Sequence, residues 1–194
     1  MKKLAANHAT PLVILFKALF FFGVLLTASQ LKSQPQVTFS PFIQNLTLPI
    51  EVTNANDGSG RLFIVEQTGI IKIYKNGNLL SKPFLDLSDI VSNTDTLKGM
   101  WSIAFVPNYK ALGYFYVYYT SKGGNTVIAR YQASKSNPDS AIKNSGVTLF
   151  SFPSSGFNGP KFGQFHFGAD GYLYFTVSDG SSPSLTTTFA QDLS

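Results

Sequence analysis

Proton transfer and metal binding need imidazoles, thiols or carboxylates held close together, and this sequence is sparing with all of them. Its 194 residues include two histidines and no cysteine. His8 lies in the amino-terminal segment, which leaves His166 as the one imidazole in the body of the chain. Neutral imidazole is a competent general base near pH 7, so His166 is the candidate for such a role. The run Gly163-Gln164-Phe165-His166-Phe167 reads as a strand, with His166 on the face of Gln164 and opposite Phe165 and Phe167. That strand brings no acid or second ligand with it, and a packed or hydrogen-bonded strand histidine is the plainer expectation. Other chemistries lack their spacings: there is no nucleophile elbow, no phosphate-cradling glycine loop and no pair of histidines at metal distance. Gly58-Ser59-Gly60 and Gly123-Gly124 lead into strands, where a phosphate loop requires a helix, so they read as hairpin turns.

The elements that would position these residues are strands. Apolar residues make up 44% of the chain and charged ones 13%, with 18 Phe, 9 Tyr and 16 Gly, a composition suited to half-buried pleated surfaces and not to long helices. Three segments repeat a glycine, a large side chain and then alternating bulky and aromatic residues: Gly60-Arg61-Leu62-Phe63-Ile64, Gly113-Tyr114-Phe115-Tyr116-Val117 and Gly171-Tyr172-Leu173-Tyr174-Phe175. Each follows a turn, at Asn56-Asp57-Gly58-Ser59, Ala111-Leu112 and Ala169-Asp170. The first two copies turn back, at Gln67-Thr68-Gly69 and Lys122-Gly123-Gly124-Asn125, into the strands Ile70 to Tyr74 and Thr126 to Tyr131. Trp101 to Phe105 and Gly163 to Phe167 supply strands ahead of copies two and three, while Pro83 to Leu85 and Val147 to Phe150 supply outer strands. About four antiparallel strands recurring every roughly 50 residues are the makings of propeller blades. Each such sheet has two apolar faces that only neighbouring sheets can cover. The polar stretch Ser134 to Asn144 is expected to be a loop. Because a closed ring needs about four to eight blades, the chain is expected to be a fragment of one.

Charge sets aside one class of partner. The formal charge is +5, but Lys2, Lys3, Lys17 and Lys32 precede residue 34 with no acid among them, and the remainder is almost neutral. That body carries no electrostatic footprint for nucleic acid. Residues 1–33 are expected to be a signal peptide, with lysines ahead of the apolar run Ala18 to Ala28 and small residues Thr27 and Ser29 at its exit. A membrane anchor from Pro11 to Ala28 is the alternative, although a spanning helix wants about 20 apolar residues. The expected location is secreted, periplasmic or at the cell surface, with no membrane attachment after cleavage. Residues 34–194 then form the incomplete propeller domain.

The stretches Gly99-Met100-Trp101-Ser102-Ile103-Ala104-Phe105-Val106-Pro107-Asn108-Tyr109, Gly113 to Thr120 and Gly163 to Tyr174 carry a resemblance. Over about residues 40 to 194 the chain resembles the glucose/sorbosone dehydrogenase family, secreted six-bladed propellers that include soluble pyrroloquinoline-quinone (PQQ) aldose dehydrogenases. The resemblance implies an all-β fold: a partial β-propeller of roughly three four-stranded antiparallel blades, truncated from a six-bladed ring, with the remaining blades missing. It implies PQQ and calcium at the central channel of active relatives, and hydride transfer from a sugar's anomeric carbon to the quinone while a histidine accepts the hydroxyl proton. In the family that histidine commonly lies in an Asn-His-Asn-Gly-Gly-type loop ahead of the strand matched by Gln164 to Phe167. Alignment places Pro160 at the histidine and Lys161 next to it. The Gln or Glu that helps relatives hold quinone falls at Leu97, with Lys98 beside it.

Proline accepts no proton, and loss of a catalytic base costs on the order of a hundred- to ten-thousand-fold in rate. No catalytic residue is therefore matched, His166 standing only as a substitute candidate, and no metal ligand is assigned. Lys98 and Lys161 are ligand-binding candidates that could meet an anionic group at the channel mouth. Asp179-Gly180 resembles the Gly-Asp-Gly loop of relatives, its carboxylate expected to cap a turn and not to bind metal. The resemblance describes an exported quinoprotein-type sugar dehydrogenase with a sugar or other small molecule as ligand. The alternative is a non-catalytic secreted propeller that binds carbohydrate or protein.

Overall fold

The structure, a computed structural model, describes residues 15–16, 19–20, 36–93, 97–152 and 163–176. The chain divides into two compact units, residues 1–42 and 43–194. In the first, positions 15–16 and 19–20 are helical. Among the described residues no helix is long and apolar enough to cross a membrane. The apolar run read as a signal or anchor falls largely outside the described residues.

The second unit consists of antiparallel sheets. The first sheet joins β1 (Pro49–Thr53), β2 (Leu62–Glu66), β3 (Ile70–Lys75) and β4 (Asn78–Leu79) in that order, with β5 (Leu85–Asp86) also paired to β3. The second runs β6 (Met100–Phe105), β7 (Tyr114–Thr120), β8 (Thr126–Ala133) and β9 (Ala141–Phe152), and a single turn of helix, α1 (Tyr109–Leu112), links β6 to β7. The third described sheet pairs β10 (Phe165–Phe167) with β11 (Leu173–Phe175). Sequential strands joined side by side, in sheet after sheet, are the blade pattern of a partial propeller, as the repeat implied.

The middle sheet is apolar on both faces, and strand alternation divides its side chains between two cores. Phe115, Val117 and Tyr119 of β7, with Val127, Ala129 and Tyr131 of β8, join Phe63, Val65, Ile71 and Ile73 of the first sheet. The intervening Tyr118 and Ile128 turn the other way and pack with Trp101, Ala104 and Phe165. Ring contacts cement each side: Phe84 lies 5.0 Å from Phe115 on one face, and Tyr116 lies 5.6 Å from Phe167 on the other. A period of two thus dictates two hydrophobic surfaces, and burying both forces the sheets to stack.

The glycine that opens each repeat has a backbone reason. Gly60, Gly113 and Gly171 all take positive φ, at 68°, 71° and 82°. Gly113 also ends α1, its N–H donating to the Tyr109 carbonyl at 2.7 Å. A left-handed residue there lets the chain leave a turn directly into an aromatic strand, and any side chain would be strained.

Several features differ from the sequence reading: β4 is an additional short strand, and the outer strand expected over Pro83 to Leu85 is β5, which begins only at Leu85. β1 has no counterpart in that reading, because Pro49 and Glu51 break the apolar alternation that marks a strand. Ala111-Leu112 belongs to a helical turn closed by Gly113. The polar stretch expected to be loop as far as Asn144 enters β9 at Ala141, whose N–H donates to the Phe84 carbonyl at 2.7 Å; β9 is exposed along most of its length, so polar residues suit it. The continuation of the third copy beyond Thr176 lies outside the described residues.

The loop before β9 also ties the first two sheets together. Arg61, 4% exposed, donates to Asp57 at 2.6 Å, to Asp139 at 3.0 Å and to the Pro138 carbonyl, and Lys75 meets Asp139 at 2.7 Å. Burial alone would raise the Asp57 carboxyl, but Ser59 and the Arg61 guanidinium outweigh it and hold the group down to about 2. Burial likewise opposes and fails against Lys75 and Arg61 at Asp139, which is also lowered.

Phe115→Ala is expected to cost about 3–5 kcal/mol in urea unfolding, through the cavity left between the first two sheets. Asp139→Ala, which strips one carboxylate from a buried guanidinium, should cost about 1.5–3 kcal/mol. A carboxyl depressed in the folded state stabilises the fold above its unfolded value and loses that contribution as pH falls through its folded value. Thermal stability of the parent chain should therefore drop as pH falls from 3.8 to about 2, and Asp57→Asn should flatten that drop.

Candidate functional site

The first strands of the three sheets lie side by side, β6 between β1 and β10, and form the axial wall of the stack. All three run the same way. Their beginnings meet at a cavity of about 390 Å³ lined by Ile50, Trp101, Gly163, Gln164 and Thr176. Their ends meet at a second cavity of about 380 Å³, lined by residues 53–56, 103–107 and 166–169. The stack therefore has a leading mouth and a trailing mouth, with the wall between them.

At the leading mouth the geometry repeats from blade to blade. The pairing of β1 slips between Pro49 and Glu51, and that of β6 between Met100 and Ser102. The bulged residues are Ile50 and Trp101, both of which line this mouth. An extra residue re-aims a side chain that the regular pleat would send elsewhere. The turn after β2 fixes the approach to β6: the Gln67 carbonyl accepts from the Met100 N–H at 3.0 Å, and Gln67 Nε2 donates to the Lys98 carbonyl at 2.7 Å. Two glycines make the fit close. A Cβ on Gly99 would stand 2.4 Å from Gln67 Cγ, and one on Gly163 would stand 1.9 Å from the Tyr118 ring.

Midway along the wall, side chains bridge sheets that share no ladder. Glu51 of β1 accepts from the Ile103 N–H at 3.0 Å and is also hydrogen-bonded by Ser102. Ser102 Oγ accepts in turn from the Phe165 N–H at 3.4 Å. Edge N–H groups of β6 and β10 thereby find acceptors on the adjoining strand, as buried donors must. Burial pushes the Glu51 carboxyl up, opposed by the Ile103 N–H, by Ser102 and by the charge of His166.

The candidates from sequence are separated by this geometry. Leu97 and Lys98 are half-buried on the loop entering β6, at the leading end. His166 is exposed and lines the trailing mouth, with Phe165 buried behind it, as alternation required. Pro160, Lys161 and Asp179 lie outside the described residues. Sequence reasoning missed Glu51, whose strand went unrecognised, and the pairing of Arg61 with Asp139, which is 78 residues away. An acid between apolar residues in Ile50-Glu51-Val52 was the available signal.

Quinone and calcium each make specific demands on a site. Calcium takes about six to eight oxygen ligands, carboxylates foremost, and the described residues bring no three acidic or histidine groups together. PQQ is a flat polycarboxylate, whereas the leading mouth offers one amide, one hydroxyl, an indole and apolar surface, with Lys98 the described cation on the adjoining loop. The described residues do not form a holding set for either group.

An all-β stack with two mouths defines the class as a propeller. Residues 46–194 match the Glucose / Sorbosone dehydrogenase family, and the chain belongs to it. The chain is 33% identical over 151 residues to mouse Hedgehog-interacting protein, covering 71% of this chain and 21% of that protein. It is 30% identical over 183 residues to HIPL1 protein of Arabidopsis thaliana, covering 70% and 26%. The chain thus spans about a quarter or less of the curated relatives it matches. Among solved structures, a Thermus thermophilus oxidoreductase described as a glucose dehydrogenase superposes with TM-score 0.60 at 21% identity, covering 76% of this chain and 42% of that one. The PQQ-bound aldose sugar dehydrogenase of Streptomyces coelicolor gives 0.58 at 20%, with the same coverage. At such identity the likeness shows the fold.

Glu51→Ala is expected to leave the Ile103 N–H without its acceptor and to cost about 1–3 kcal/mol, with faster amide exchange at Ile103. Glu51→Gln keeps an acceptor oxygen and should retain most of the protection.

Proposed function

We propose that this chain supplies the leading blades of an exported propeller of the glucose/sorbosone dehydrogenase family that binds ligands without oxidising them. Residues 1–33 direct its export and are removed, and the product is secreted, periplasmic or cell-surface. The observation that carries the reading is the placement of His166. It lines the trailing mouth, while the described residues lining the leading mouth, Ile50, Trp101, Gly163, Gln164 and Thr176, include no imidazole or carboxylate to take a proton. The family resemblance, matched on Gly163-Gln164, supports the same reading, since it puts Pro160 where relatives carry their base. Lys98 and Lys161 serve in this reading as cationic contacts for an anionic group on a ligand at the leading end.

The relatives named for interaction with Hedgehog support a binding role for this scaffold, with carbohydrate or protein as the ligand class. The backbone likeness to the PQQ-bound aldose sugar dehydrogenase favours a second reading, sugar oxidation by quinone in the full-length parent.

One assay separates them. The full-length parent, supplied with PQQ, calcium and a panel of aldoses, is expected to reduce an electron-accepting dye no faster than quinone and calcium without protein. The expected deficit against an active family member is on the order of a hundred- to ten-thousand-fold. Aldose-dependent dye reduction within tenfold of such an enzyme would establish the second reading.

A further inference from the structure

The trailing mouth carries unused binding chemistry of its own. Among the described residues lining its cavity there is no Lys, Arg, Asp or Glu. Four polar side chains stand around it: Thr53 and Asn54 at the end of β1, Asn56 in the following turn, and His166 on β10. Asn54 Oδ1 accepts from the Asn56 N–H at 3.0 Å, which orients its amide and leaves Nδ2 as a donor. The Thr53 hydroxyl, the Asn56 amide and the His166 ring make no hydrogen bond with the described residues. The rest of the lining is apolar, with Phe105, Pro107 and Phe167 among it.

From this we infer that the trailing mouth is a binding site for a neutral polyhydroxylated ligand, a saccharide unit. An anion finds no Lys or Arg among the described residues of this lining. A metal ion finds one imidazole and no carboxylate among them. A wholly apolar ligand would strip water from four polar side chains and return no hydrogen bond, at about 1–3 kcal/mol for each group left unpaired. Hydroxyl groups both donate and accept, so a polyol can pair with two amides, a threonine hydroxyl and an imidazole alike. The C–H face of a sugar ring suits the apolar part of the lining. The cavity's 380 Å³ lies within the range of small-molecule sites, about 300–1,000 Å³. The site extends the binding reading with a second place, at the end opposite the one that reading assigns to Lys98 and Lys161, and a ligand class for it, and it holds whether or not the leading mouth oxidises a sugar.

Methyl glucosides and maltotriose are suitable probes, the former because a capped anomeric carbon leaves no hydroxyl to oxidise. Titration of the chain, followed by amide and side-chain NMR, should shift signals of Asn54, Asn56 and His166. Asn56→Gly deletes the amide and suits the positive φ of 51° at that position, so the turn should survive. It should weaken binding about tenfold, a loss of about 1.4 kcal/mol. Asn54→Asp, which keeps the acceptor for the Asn56 N–H and removes the donor, should weaken it similarly, while Gln164→Ala at the leading mouth should not. No shift with any probe up to tens of millimolar would overturn the inference. So would shifts centred on Trp101 and Gln164, or affinity indifferent to both asparagine variants. Dye reduction by the parent bears only on the catalytic question, so the two failures remain distinguishable.

Discussion

A sheet with two apolar faces cannot stand alone, and the rest of this structure follows from that constraint. β7 alternates Phe115, Val117 and Tyr119 with Tyr116 and Tyr118, so neither face can be left to water. Burying a large side chain is worth about 1.5–3 kcal/mol, and each face of the middle sheet buries several. The first sheet covers one face and β10 with β11 the other. Stacking then lines up the opening strands, and from that alignment come an axial wall and two mouths.

Backbone pairing ends at the edge of each sheet, so different forces hold one sheet to the next. Near the outside the link is ionic, with Arg61 of the first sheet gripping the loop before β9 through Asp139. Along the axis it is a relay of hydrogen bonds, from the Ile103 N–H to Glu51 and from the Phe165 N–H to Ser102. Both links use polar groups that burial would penalise if they were unpaired, which makes the angle between neighbouring sheets specific where hydrophobic contact alone would let them slide. The mouths inherit that rigidity, since Ile50 and Trp101 occupy equivalent bulges in strands whose relative position is fixed.

Local information explains what the sequence made legible. The three glycine-led repeats announced themselves because one left-handed residue followed by a two-residue alternation leaves a plain pattern, and the face of His166 followed from the same alternation. β1 was hidden because Glu51 sits where a strand's apolar residue was expected, and its reason for being there is a backbone N–H in another sheet. The Arg61–Asp139 link and the separation of His166 from the leading mouth are long-range facts, fixed by how sheets stack. Residues 97 and 98 could be placed ahead of β6 from sequence, but not the hydrogen bond that Gln67 donates to the Lys98 carbonyl from the turn of a different sheet.

The chain has one tryptophan, Trp101, and it reports on the central claim directly. It is 4% exposed, packed among Tyr118, Ile128 and Phe165 where the third sheet covers the second. If the middle sheet is covered on both faces, its fluorescence is blue-shifted and resists iodide quenching, and Phe165→Ala moves both toward the behaviour of free indole. Emission at the wavelength of a water-exposed indole, quenched freely in the unsubstituted protein, would contradict the stacked arrangement on which the wall and its two mouths depend.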